Sequence, residues 1–216
     1  MAKKYRAVES KIHWLTWVSI AAIVTVMVVL LIALQPSPKN VFYDSYKAVA
    51  TDINFEKKLP RDNKFILINR LEDGFLGFNK GLYSAGNKSD EVAIVYFGAP
   101  SLENGSANIA NVYARLYGAS TMDPVIEPSD LYTSLEDQVK LYYFEHSGED
   151  FANLVKSLNE KYEDANIIAQ TVPFILVLLN NEVVDFAVLN ESNIPLQLLN
   201  FYNDVLASDA VTELLD

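Results

Sequence analysis

The stretch from Trp14 to Leu34, WLTWVSIAAIVTVMVVLLIAL, holds 21 residues without a charge, a glycine or a proline. At about 1.5 Å of rise per helical residue, such a run spans a hydrocarbon core of about 30 Å, and it reads as a transmembrane helix. Ahead of it, MAKKYRAVESKIH sets Lys3, Lys4, Arg6 and Lys11 against Glu9 alone. The positive-inside bias therefore keeps residues 1–13 in the cytoplasm and places everything beyond Leu34 outside it, in a single-pass arrangement at the cell membrane. A cleaved signal peptide is the rival reading. Its apolar region is ordinarily about 7–15 residues long and ends in a small-residue cleavage site, which IALQPSP supplies poorly, so an uncleaved signal-anchor is expected. Trp14 and Trp17 would sit at the cytoplasmic headgroup level.

Charge sharpens this division. The chain carries −11 overall and residues 1–34 contribute +3, which leaves −14 beyond the helix. An ectodomain that acidic is repelled by nucleic acid and by anionic lipid, so neither is an expected partner. There is no cysteine, which excludes a lipoprotein, a disulfide framework and thiol chemistry together.

QPSPKN, residues 35–40, reads as a short stiff spacer. Phe42, Tyr46, Val49 and Ile53 then recur at helical spacing before Pro60, and KFILINR (64–70) reads as a first strand. Residues 71–90 show no clear period and are expected to be irregular or weakly helical. Residues 41–90 thus form an N-terminal part of the ectodomain, and the stronger pattern begins at Glu91. EVAIVYF is a continuous apolar run, as for a strand buried on both faces. GAPSLENG breaks it, and Ile109, Val112, Tyr113, Leu116 and Tyr117 follow at helical spacing. VKLYYFEH (139–146) reads as the next strand. A helix follows, with Ser147 or Asp150 near its cap and Phe151, Leu154, Val155, Leu158 and Tyr162 on one face. VPFILVLL and EVVDFAVL, separated only by Asn180-Asn181, form an antiparallel hairpin. A last helix begins near Pro195 and turns Leu198, Leu199, Tyr202, Val205 and Leu206 inward.

Residues 91–207 resemble the thioredoxin fold, and more loosely the bacterial membrane-anchored thioredoxin-like and bacteriocin-transport accessory type. Two segments carry the likeness. VYFGAP with its polar turn and helix is similar to the family's V-x-F-W-A-P-W-C-x-x-C, and QTVPFILVLLNNEVV to its x-[ST]-x-P-T-x-x-x-F-x-x-G-x-x-V. Residues 119–138 look inserted between them. The resemblance implies an α/β fold, a thioredoxin-like mixed sheet with flanking helices over 91–216, behind the transmembrane helix. The family's cysteine positions fall on Leu102 and Gly105, or on Ser101 and Asn104 if the turn is shifted by one. Its buried acid falls on Tyr96. The redox apparatus is therefore missing, while the family's cis proline is matched by Pro173 after Val172, where an extended peptide pairs like an added strand. A cis Val172–Pro173 bond is expected by that resemblance; otherwise Pro173 merely opens a strand near a sheet edge.

Other chemistry finds little footing. Ser101 lacks the Gly-x-Ser-x-Gly elbow, and His13 and His146 offer no convincing general base. Glu72-Asp73, Glu136-Asp137 and Glu149-Asp150 are neighbours whose side chains diverge, and none has calcium-loop spacing. Gly74, Gly77 and Gly81 lack the Lys-Ser/Thr of a phosphate loop. The expectation is a redox-inactive, non-enzymatic module with no cofactor and no metal, binding an envelope protein or peptide. Its expected groove is formed by Pro100, Ser101, Leu102, Glu103, Asn104, Gly105, Val172 and Pro173. The alternative is an accessory subunit of a thiol-disulfide or secretion system whose chemistry a partner supplies.

Overall fold

The computed structural model describes residues 13–74, 80–163, 165–168, 171–190 and 192–215. The chain divides into two units, Met1–Ser37 and Pro38–Asp216. In the first, Trp14–Leu34 is one continuous helix (α1), exposed along its length and apolar enough to cross a membrane. His13 caps it, its Nδ1 accepting the Leu15 N–H at 3.3 Å. The basic residues expected to orient the helix, Lys3 to Lys11, lie outside the described residues.

The second unit is built around a five-stranded sheet of β1 (Ile66–Ile68), β2 (Val92–Gly98), β3 (Val139–Glu145), β4 (Phe174–Leu179) and β5 (Glu182–Val188), in the order β1-β3-β2-β4-β5. β1, β3 and β2 run parallel, β4 is antiparallel to β2, and β5 is antiparallel to β4. The β4–β5 turn uses Asn180 and Asn181 at φ 51° and 63°, the left-handed pair that a two-residue hairpin requires. β2 is buried at every position, which is why its sequence is apolar without alternation. A parallel βαβ unit followed by an antiparallel hairpin and a helix makes the fold a thioredoxin-like mixed α/β sheet with flanking helices.

The two faces are covered separately. On one, α2 (Pro38–Ala48), α5 (Gly105–Tyr117), α6 (Asp130–Leu135), α8 (Ile194–Leu206) and α9 (Asp209–Leu215) enclose Ile94, Tyr96, Leu141, Tyr143 and Ile175. On the other, α4 (Leu82–Gly86) and α7 (Phe151–Lys161) enclose Ala93, Val95, Phe97, Phe174 and Leu176. Even and odd positions of β2 and β4 thus feed opposite cores, as strand pleating dictates.

Several local expectations change. Proline fits the first helical turn, so α2 begins at Pro38, inside the stretch read as a spacer. It buries Phe42, Tyr43 and Tyr46 but stops at Ala48. Asp52 Oδ1 then accepts the Asn54 N–H at 2.8 Å, a local turn that competes with helix and leaves Ile53 93% exposed before the separate helix α3 (Phe55–Lys58). The first strand shrinks to three residues at the sheet edge. Residues 71–90 contain the short helix α4, with 75–79 outside the described residues. Within 119–138 an Ala119–Ile126 bridge leads to α6, which Ser129 caps, its Oγ accepting the Tyr132 N–H at 3.2 Å. The Asp123–Pro124 peptide there is cis. α8 starts one residue before Pro195 and leaves Leu199 39% exposed, while Phe201 is buried in its stead.

Candidate functional site

The sheet register decides which loops meet. Phe97 pairs with Phe144 across the parallel neighbour and with Phe174 across the antiparallel one. Residues following β2, residues following β3 and residues preceding β4 therefore emerge at one end of the sheet. In open α/β sheets the carboxyl ends of the parallel strands are where binding crevices form.

The turn after β2 is held by its own backbone. Leu102 N–H donates to Ala99 O at 3.2 Å, Gly105 N–H to Leu102 O at 3.0 Å, and Asn108 N–H to Asn104 O at 2.9 Å as α5 begins. Asn104 occupies the helix cap at φ 56°, a left-handed conformation that asparagine tolerates, and its side chain makes no capping bond. Ser101, Glu103 and Asn104 are exposed, Pro100 and Leu102 half-buried, and Gly105 buried. A side chain at Gly105 would bring its Cβ within 2.6 Å of Ala99 O. Of the two alignments that match the family's cysteine positions, the one ending on Gly105 therefore meets a backbone atom, while Ser101 and Asn104 both face solvent.

The Val172–Pro173 peptide is cis, as the resemblance implies. Both residues are buried, Val172 being 8% exposed, so they form the floor of the edge rather than its rim. Thr171 Oγ1 donates to Val172 O at 3.2 Å, and Pro173 O accepts the Leu189 N–H at 2.9 Å beside the β4–β5 ladder. Leu102 packs on the same apolar cluster as Val172. The structure thus places both halves of the expected groove at one end of the sheet, with Leu102 and Val172 on one apolar cluster.

A third element of this end escaped the sequence reading. The loop from His146 to Asp150 lies against this end too, with His146 N–H donating to Gly98 O at 3.0 Å. Gly148 sits at φ 98°, and a Cβ placed on it would lie 3.4 Å from Val172 Cγ2. His146 is half-buried, its ring T-shaped to Phe151 at 5.6 Å, and Phe151 in turn T-shaped to Phe174 at 5.5 Å. Burial holds the His146 pKa below the usual histidine value, against the pull of the Asp150 carboxylate. Asp150 is the helix cap as expected, but at φ 57° and without a side-chain bond. The signal available in the sequence was topological: a strand paired in parallel with β2 must end beside it.

The rim of this end is acidic. Glu103, Glu145, Glu149 and Asp150 are exposed, and none of them enters an ion pair among the described residues. No group of three or more His, Cys, Asp or Glu that can hold a metal ion occurs among the described residues. Of the adjacent acid pairs, Asp73 serves the backbone, accepting the Gly81 N–H at 2.8 Å and the Ser84 hydroxyl at 2.7 Å, which lowers its pKa. Two adjoining hollows of about 290 and 410 Å³ lie away from this end, lined in common by Glu72, Tyr83 and Lys161.

No family model matches the sequence, and no curated protein matches it at significant similarity. Among solved structures, the chain is similar to thioredoxin from Malassezia sympodialis (Mala s 13), with 12% identity over 67% of this chain and 93% of that one and a TM-score of 0.39. It is also similar to the short form of thioredoxin f from spinach chloroplast, with 13% identity, 65% and 95% coverage and a TM-score of 0.37.

Proposed function

We propose that the protein is a membrane-anchored, non-catalytic polypeptide-binding module of the bacterial cell envelope, with its amino terminus in the cytoplasm and residues 38–216 outside. The observation that carries this reading is the convergence of the 99–105 turn, the 146–150 loop and Val172–Pro173 on one end of the sheet, in a chain without a single thiol. The exposed Ser101, Glu103 and Asn104 share the turn with half-buried Leu102, whose apolar cluster includes Val172, a mixture that suits the alternating side chains of an extended segment. The unpaired acids of the rim favour a segment rich in Lys and Arg, because complementary charge speeds encounter and rejects anionic chains.

The probe is reduced, carboxamidomethylated lysozyme, a permanently unfolded cationic chain, titrated against the full-length protein in nanodiscs. Saturable binding is expected, and reduced, carboxymethylated α-lactalbumin, unfolded and anionic, should bind far more weakly. The double reversal Glu103→Lys with Glu149→Lys should weaken the lysozyme chain by roughly tenfold, at about 0.5–1 kcal/mol per exposed charge. Equal affinity for both probes, or no effect of the reversal, would remove the support for this surface.

A further inference from the structure

We infer that the 146–150 loop is a pH-sensitive latch on this binding edge, closed while His146 is neutral and released when its ring takes a second proton. The inference rests on the reading that the edge binds an extended chain. Gly148 N–H donates to His146 Nδ1 at 3.1 Å. A ring nitrogen accepts a hydrogen bond only while it carries no proton, so the loop conformation selects the neutral imidazole protonated at Nε2. Adding a proton to Nδ1 turns the bond into an N–H facing an N–H. The bond sits at the point where the loop meets the edge, since Gly148 is the residue whose Cα faces Val172 Cγ2.

The surroundings work in the same direction. Phe151, T-shaped to the ring at 5.6 Å, has no oxygen or nitrogen in its side chain to accept a hydrogen bond from a charged imidazolium. Burial disfavours the charged form, and the Asp150 carboxylate offsets that only in part. The other ionisable groups near the ring are few. Glu145 and Glu149 flank it in the chain, and Glu103 is the charged residue of the facing turn. Thr171, Val172 and Pro173 carry no charge. With the folded-state value below the unfolded one, the folded loop binds fewer protons than the unfolded chain. Its stability is therefore full above about pH 6.5 and declines as pH falls through the folded value.

The test is an NMR titration of the labelled full-length chain in detergent micelles from pH 7.5 to 4.5. The Gly148 amide and the Val172 methyls should follow the His146 Cε1–H with a common midpoint below about 6.5, while Val95 in the middle of the sheet holds its shifts. His146→Gln, which gains no charge in this range, should flatten the Gly148 curve. A Gly148 amide that ignores the His146 titration, or a midpoint at or above the ordinary value, overturns the latch. In the binding assay with the carboxamidomethylated lysozyme chain, affinity should fall roughly tenfold at one pH unit below the midpoint, as the competent fraction falls. The His146→Gln variant should not show that fall. Affinity that is pH-independent in the wild type overturns the coupling of latch to edge. No binding at either pH, with the Gly148 titration intact, overturns the functional reading and leaves the loop switch standing.

Discussion

The two faces of the central sheet are both buried, but the middles of the two cores differ in chemistry. Among the buried tyrosines of the face under α2, α5 and α8, three from three elements, Tyr46, Tyr96 and Tyr143, meet ring against ring around Tyr143. Tyr46 donates its hydroxyl to the Tyr143 oxygen at 3.2 Å, and Tyr96 stacks on Tyr143 at 6.3 Å and 19°. Burial raises the pKa of all three, so they stay protonated. The middle of the opposite face, under α4 and α7, is Ala93, Val95, Phe97, Phe174, Leu176 and Leu178, with no polar side-chain atom to satisfy. The middle of one face is held by area and shape, its buried phenols Tyr142 and Tyr162 belonging to other elements, whereas the middle of the other also depends on which hydroxyl finds a partner. Deleting carbon and deleting oxygen should therefore separate the two faces.

The largest effect is expected on the hydrocarbon face. Phe174 is fully buried, stacked on Phe97 at 4.4 Å and edge-on to Phe151. Phe174→Ala removes the ring and leaves a cavity that strands on both sides cannot close, for a loss of about 3–5 kcal/mol in urea unfolding of the full chain in micelles. A loss below about 1 kcal/mol would mean that this face relaxes, and the contrast between the faces would fail.

What the sequence announces and what it withholds follow the same division between local and distant causes. β2 is legible because a strand buried on both faces must be apolar without alternation, and the Asn180-Asn181 hairpin because a two-residue turn needs positive φ. α5 and α7 are legible because each repeats its apolar face for three turns. Helices of fewer than two turns leave no period to read, which hid α6 and α9. The run Phe42–Ile53 misled because its period crosses the end of α2, where the Val49 and Ala50 N–H groups close a tighter turn on Tyr46 O and Lys47 O. At the end of the sheet where β2 and β3 finish, the 99–105 turn and Pro173 are visible through resemblance. The 146–150 loop is not, because its place beside them follows from strand pairing rather than from its own residues. The phenol cluster was hidden for the same reason, with Tyr46 and Tyr143 97 residues apart.

A smaller effect is expected where a hydroxyl has a partner. Tyr46→Phe keeps the ring and its edge contact with Tyr143 at 5.8 Å, and removes one oxygen. Tyr143, buried at 5% exposure, then has a hydroxyl without the bond that offsets its burial. A loss of about 1 kcal/mol is expected, and Tyr143→Phe should match it, since either deletion orphans the other member. If the two single losses and the double variant add without coupling, the pair contributes nothing as a pair.

The smallest effect should carry the opposite sign. The Tyr96 hydroxyl is fully buried and has no hydrogen-bond partner among the described residues. It gave up its water on folding and donates to no protein acceptor, with the Tyr46 hydroxyl beside it already given to Tyr143, so the oxygen costs stability where the ring adds it. Tyr96→Phe deletes the same atom as Tyr46→Phe in the same cluster, yet stability should stay level or rise by up to about 1 kcal/mol. Because Phe keeps the stacking on Tyr143, nothing else in the core has a reason to respond. A loss comparable to that of Tyr46→Phe would show that Tyr96 takes part in the hydroxyl network. The phenol face would then be a bonded triad, with the Tyr46–Tyr143 bond only one of its links.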